Sequence, residues 1–376
     1  MKKILLFAVC LLLSLNVFSQ EKNFRPAQIN FGFPLSTINV KKAKEYTNAF
    51  SINLLVSISK NERSLALAGI SNVIANNATG LQIASVSNYI GNNGYGIAVT
   101  GVSNTVMHSY KGIQIAGVAN YSGSGVGMQI AGVTNINNGD NIGAQISGVA
   151  NINNGAAMGL QISGVTNINN GSFIGLQLSS VANIAGDVKG MQLSAVMNKA
   201  KKVKGVQFAT LLNVAEESDF PIAFINIIKN GKMGVALSYD MMNNTVLSFR
   251  SGGKYTYGIL GVGYNGLVND GSKVVAEAGY GVHIPVIDWI EINNEFKAVS
   301  VGFSDDKTCC NFSYLLAPSF TFKNHYNVFG GASFNYLNTN YVNSNDLMPN
   351  NYFWSKDGNY NQRMYIGYQI GLQYVF

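Results

Sequence analysis

The chain is expected to fold as an all-β protein, a transmembrane antiparallel β-barrel of about 20 strands built partly from repeats of 15 or 16 residues. Three observations predict it. A short unit recurs along the middle of the chain, each unit alternates at period two, and the C-terminal segment alternates to its last residue. The expected organisation is a signal peptide over 1–20 and a barrel over 21–376. Within the barrel, 63–214 are repeat strands and 215–376 are C-terminal strands with a long loop at 338–361.

The first element is the leader. Lys2 and Lys3 precede the apolar run Ile4 to Leu15, and a polar Phe-Ser-Gln junction leads into Glu21. This is the pattern of a cleaved export signal, and the run is too short for a spanning helix. Cys10 lies within the apolar run after Val9, which is not the arrangement of a lipoprotein anchor.

Gln28 to Ile38 and Thr47 to Ser59 read as strands, and the repeats follow. The unit Gly-x-Gln-(Ile/Leu)-(Ala/Ser)-x-Val-x-Asn begins at Gly80, Gly112, Gly127, Gly143, Gly159, Gly175 and Gly190, and more loosely at Gly205. In the copy at Gly159, parity puts Met158, Leu160, Ile162, Gly164, Thr166 and Ile168 on one face. Gly159, Gln161, Ser163, Val165 and Asn167 take the other. The connection from Asn169 to Phe173 has hairpin-turn chemistry, and pairing Ile168 with Ile174 would set Ser163 beside Ser179 and Val165 beside Gln177. An eleven-residue strand rises about 36 Å, or about 28 Å of height when tilted by about 40°, close to the apolar band of a membrane barrel.

After the repeats, Pro221 to Ile228 and Gly234 to Met242 continue the theme. Thr245 to Phe249, Tyr255 to Tyr264, Lys273 to His283, Ile287 to Val299, Cys310 to Phe322 and Tyr326 to Leu337 read as further strands, with aromatics such as Trp289 suited to interfacial girdles. In Met364 to Phe376, Ile366, Tyr368, Ile370, Leu372, Tyr374 and Phe376 alternate with Gly and Gln. The terminal aromatics Tyr374 and Phe376 make this strand resemble the assembly signal of Gram-negative outer-membrane barrels. The resemblance implies outer-membrane localisation, lipid as a partner, and recognition by barrel assembly machinery.

The repeat units also resemble those of a bacterial surface-repeat family, over roughly Ser64 to Asn213. That resemblance implies an exported surface protein and carries no functional residues with it. The alternative fold is a β-solenoid, one coil per unit, beside a smaller C-terminal barrel. It would turn Leu160, Ile162, Val165 and Ile168 inward, with a corner near Gly164 and a ladder of Asn167 equivalents.

In the barrel reading Gln114, Gln129, Gln145, Gln161, Gln177, Gln192 and Gln207 face the lumen. There their amides either pass or bind small neutral polar solutes, in a porin-like role, or hydrogen-bond across strands and fill the wall. In the solenoid reading the chain is a cell-surface adhesin or binding module. In the long loop, Tyr352, Phe353 and Trp354 are candidates for contact with a partner or surface glycan, or for folding over the barrel mouth.

No enzyme, cofactor or metal site is expected. Asp288 and Glu291, Asp305 and Asp306, and Glu216, Glu217 and Asp219 are carboxylates with no nucleophile and base arranged around them, and His108, His283 and His325 lack ligand spacing. Beyond the leader the cysteines are Cys309 and Cys310, adjacent and unsuited to pairing with each other. The net charge of +7 falls to +5 without Lys2 and Lys3, and these charges are dispersed, with no nucleic-acid footprint.

Overall fold

The computed structural model describes residues 23–32, 35–36, 40–268, 272–302, 309–323, 325–340 and 351–376. The leader at 1–20, Asp305, Asp306 and loop residues 341–350 lie outside them. The chain divides into two compact units. One runs to Ser180 and includes Ile184–Gly186, and the other comprises Val181–Asn183 and Asp187–Phe376.

The repeats coil instead of forming hairpins. In the copy at Gly159 the chain runs along Ala157–Ser163, turns at Gly164 and Val165, runs back along Thr166–Asn169 and returns through Asn170, Gly171 and Ser172. Each strand pairs in parallel with the strand one repeat later: Gly159 with Gly175, Gln161 with Gln177, Ser163 with Ser179, and in the short strands Asn151 with Asn167. The coils amount to about 11 turns.

This corrects the 20-strand barrel. Parallel stacking sets each residue on its own copy, so identical amides meet, whereas a hairpin would put Val165 against Gln177. The expected eleven-residue strand is broken into seven and four by the corner at Gly164 and Val165. The glycine that opens each unit also belongs to coiling. Gly159 has φ +125°, and a Cβ there would stand 2.1 Å from the Gly143 carbonyl oxygen of the previous coil.

The coils are inverted relative to the expected solenoid. Ala157, Gln161, Ser163, Asn167 and Asn169 are buried inside, while Met158, Leu160, Ile162, Val165 and Ile168 point outward and are half-buried or exposed. Parity within the long strand is as the alternation requires. The corner then carries Val165 to the exterior, away from Gln161.

The second unit holds the last coils, ending in strands Glu217–Ile222 and Ile225–Ile228, and then a closed barrel. Its strands, labelled here β1 to β8, are Met233–Asp240, Asn244–Gly252, Thr256–Asn265, Val274–Ile287, Ile290–Val301, Cys309–Phe322, Tyr326–Thr339 and Asn361–Val375. Each pairs antiparallel with the next. β1 closes on β8, with Gly234 opposite Val375 and Leu237 opposite Leu372. The barrel thus starts at Met233, has eight strands, and uses none of the repeats.

The two ends of this barrel differ. At the end holding Met233 and Val375, the connections are short, at 253–255, 288–289 and 323–325; at the other end one is equally short, at 241–243, and the other three run 266–273, 302–308 and 340–360. The last coil meets the short-turn end. Asn226 N donates to Ser251 Oγ at 2.9 Å, Thr256 Oγ1 donates to the Pro221 carbonyl at 2.7 Å, and Phe224 stacks on Tyr280 with ring centroids 5.1 Å apart.

Candidate functional site

The solenoid interior is built from amides because each coil presents the same side chain at the same height. Gln129 Nε2 donates to Gln114 Oε1 at 2.7 Å, Gln145 to Gln129 at 3.0 Å, Gln161 to Gln145 at 2.8 Å and Gln177 to Gln161 at 2.7 Å. In the second unit Gln207 donates to Gln192 at 2.9 Å. All seven are at most 4% exposed. They lie within coils and not in a barrel lumen, which corrects their expected placement: stacked copies use the amides on one another and leave no solute path along them.

A second ladder runs through the short strands. Asn135 Nδ2 donates to Asn151 Oδ1 and Asn151 Nδ2 to Asn167 Oδ1, each at 2.9 Å. Asn151 Nδ2 also reaches the carbonyls of Ile162 at 2.7 Å and Gln145 at 3.2 Å. An amide suits this position because one oxygen and two N–H groups serve a neighbour above, a neighbour below and the opposite strand.

The barrel interior was not foreseen as a site. Arg250 pairs with Glu295 at 2.8 Å, Tyr257 Oη donates to Glu295 Oε1 at 2.7 Å, and Lys297 lies 3.3 Å from Glu277 and 3.4 Å from Glu295 while bonding Gln369. Lys232 holds Glu291 at 2.7 Å, and His283 Nδ1 lies 3.0 Å from Asn293 Oδ1 with its ring stacked on Tyr257. These three cations and three carboxylates cancel. An eight-stranded barrel has room inside only for side chains or one small ligand, and here ion pairs, with Leu315 and Phe329, fill it. Nothing in this arrangement of the described residues supports a porin-like path. One signal was available: Glu291, Asn293, Glu295 and Lys297 alternate at period two in β5.

The outer wall of the barrel is apolar. Leu237, Leu247, Val262, Phe312, Ile370 and Leu372 are all exposed on it. Aromatic rings gather at the short-turn end, where Tyr374 lies 5.4 Å from Tyr326 and 5.8 Å from Phe376, and Trp289 lies 6.2 Å from Phe320. Tyr374 and Phe376 both face outward. Tyr352, Phe353 and Trp354 are exposed at the opposite end. Trp354 pairs along β8 opposite Met364, and Phe353 packs on Phe334 of β7 with centroids 5.6 Å apart, so these rings lie along the outer wall.

The fold defines a class: a β-solenoid packed with amides, leading into a small closed barrel packed with ion pairs. No family model, curated protein or solved structure matches the chain.

Proposed function

We propose that the chain is a non-catalytic outer-membrane protein in which the barrel is a lipid-embedded anchor and the solenoid is the working surface. The observation that carries this reading is the wall of the barrel, apolar outside and ion-paired inside. Such a wall is unfavourable in water and stable in lipid. A strand of the length of β6, 14 residues, rises about 48 Å and reaches about 36 Å of height when tilted by about 40°, enough to span. No helix among the described residues is long and apolar enough to cross a membrane, so strands would do so. Export would use the leader at Met1 to Gln20, and insertion the outward aromatics Tyr374 and Phe376.

Short turns throughout one end and three longer connections of four at the other fit the asymmetry of barrels whose short turns face the periplasm. With eight strands both chain ends of the barrel fall on that side, so the solenoid would enter from the periplasm. Tyr352, Phe353 and Trp354 would lie near the outer surface, where a glycan or another cell-surface partner would meet them. The stacked repeats fit the resemblance to surface-repeat proteins.

Fractionation tests the anchor. The protein should be recovered with outer membranes and change gel mobility on boiling; recovery as a soluble periplasmic protein removes the reading. Tyr374→Ser with Phe376→Ser should lower the inserted amount more than Gln373→Ala, and equal amounts would remove the assembly role. Protease added to whole cells should spare the solenoid, whereas cleavage there would favour an adhesin displayed outside.

A further inference from the structure

The corner of each coil forms a line. Val86, Val102, Val118, Val133, Val149 and Val165 occupy the same position in successive coils and are all 40–43% exposed. In the second unit Val181, Val196 and Leu211 take that place, exposed likewise. The flat faces on both sides of the corner are largely apolar: Ile115, Met128 and Leu178 project from the long strands, and Ile152 and Ile168 from the short ones, whose first position carries a hydroxyl in several coils, as at Ser87, Thr134 and Thr166. Between Ser64 and Gly186 the chain carries one lysine, Lys111, and one aspartate, Asp140. A water-facing surface is ordinarily about one quarter to one third charged.

The opposite edge is polar. Asn138, Asn154 and Asn170 stack there in the open, with Asn154 donating to Asn138 at 3.0 Å and Asn170 to Asn154 at 2.8 Å.

We infer that the solenoid is inserted edge-on into one leaflet of a phospholipid bilayer, its valine corner toward the midplane and its Asn-Gly edge in water. This rests on the barrel being a membrane anchor. Four features single out lipid as the occupant.

The apolar surface wraps three sides of each coil. A second copy would cover one face and leave the other bare, whereas acyl chains cover all three. The depth also fits: from Leu160 to Ser163 the strand advances about 10 Å before the corner at Gly164 and Val165, within the about 15 Å of half a 30 Å hydrocarbon core. At the height of Met158, where Val126, Ile142 and Ile174 are apolar, two other coils carry Tyr95 and Lys111, and the second unit carries Lys189 and Lys204. Tyr and Lys are the residues that seat at a headgroup boundary.

The backbone is equipped for a site without water. At the corner, Gly164 N donates to the Ser147 carbonyl at 3.2 Å, and Val165 N and Thr166 N donate to the Val149 carbonyl at 3.0 Å each. A chain in hydrocarbon must satisfy these groups internally. Thr134 on the short face likewise turns its hydroxyl to the Ala150 carbonyl, at 2.9 Å. Finally, the apolar surface is continuous with the lipid-facing wall within the second unit. Phe220 and Phe224 of the last coil stack on Tyr255 and Tyr280 of the barrel, with centroids 5.5 and 5.1 Å apart.

The test uses the full chain reconstituted in phosphatidylethanolamine and phosphatidylglycerol vesicles, with Cys309→Ser and Cys310→Ser. Single cysteines at Val149, Asn154 and Leu372 carry a fluorophore, and Val133 is a second corner site should Val149→Cys fold poorly. Lipids spin-labelled along the acyl chain should quench Val149 and Leu372 several-fold more than Asn154, and iodide should reverse that order. Quenching of Leu372 by lipid with Val149 open to iodide overturns the inference and leaves the anchor standing. A label at Val149 shielded from both quenchers means a protein covers the corner, which also overturns it. If lipid fails to quench Leu372, the anchor reading falls and the inference with it.

Discussion

Asn151→Ala should loosen the solenoid locally and by a large amount. The side chain accepts one hydrogen bond, from Asn135, and its two N–H groups are shared among three acceptors, Asn167, Ile162 and, most distant, Gln145, at 2.7 to 3.2 Å and fully buried. At about 1 kcal/mol net for each of three bonds, and with the lost volume adding about 1 kcal/mol, the cost is about 4 kcal/mol. This corresponds to about a thousandfold increase in the local opening constant. Stacked repeats interact chiefly with their neighbours, so the effect should concentrate in the coils within about one repeat of the change. Asn151→Asp keeps the shape but turns an acceptor toward the Ile162 and Gln145 carbonyls; it should cost at least as much and recover partly as the carboxyl is protonated. Asn154→Ala, on the open edge with bonds only to neighbouring exposed amides, should cost less than about 1 kcal/mol. Hydrogen exchange read by mass spectrometry over 141–179 measures all three. If Asn151→Ala and Asn154→Ala leave equal protection, the internal amide ladder is not what holds the coils together.

Three further outcomes are expected. Gly159→Ala forces a side chain into a φ of +125° and against the Gly143 carbonyl; local exchange in its coil should rise as much as in Asn151→Ala while the barrel keeps its heat-shifted gel mobility, and wild-type exchange would refute the steric argument. Arg250→Met leaves Glu295 buried without its closest cation and should cost about 3–5 kcal/mol in urea unfolding from detergent, much of it restored by adding Glu295→Leu; a double variant as weak as the single would mean the pair does more than neutralise itself. Burial pushes the Glu62 carboxyl, which accepts from Asn48 and Ser51, up to about 7. The fold then binds the proton more tightly than the unfolded chain, so up to about 3 kcal/mol present at pH 4.5 is lost as pH rises through 7. The urea midpoint of a fluorophore at Lys60 should therefore fall between pH 5 and pH 8 in the wild type and stay level in Glu62→Gln.

The pattern of legibility follows from what period two can encode. Alternation located the strands of the barrel well: the segments read at Tyr255 to Tyr264, Ile287 to Val299 and Tyr326 to Leu337 fall within a few residues of β3, β5 and β7. Their outward face is mostly apolar, with Asn294, Ser300 and Asn338 as exceptions, and no corner interrupts it. It also found the repeat and separated Leu160 and Ile162 from Gln161 and Ser163. It did not choose between a continuing strand and the corner near Gly164 that the solenoid alternative supplies, because a glycine followed by valine fits both; the structure has the corner.

Nor does alternation say which face is inside. The usual rule, apolar inward, fails here because burying Gln161 and Asn167 costs little when each meets its own copy in register, and the copies come together only after coiling. Arg250 and Glu295 were beyond reach for a related reason. Charges at period two in β5 announce an inward face, but the partner lies 45 residues away in β2, and only closure of the barrel joins them. Both units therefore share one inversion, polar groups gathered against one another within and apolar groups presented without, reached through parallel ladders in one and ion pairs in the other. Amide ladders alone would serve a coil in water as well as in lipid. The outward valines and isoleucines are what distinguish the two, since about 25 cal/mol for each Å² of apolar surface remains unrealised until something non-aqueous covers them.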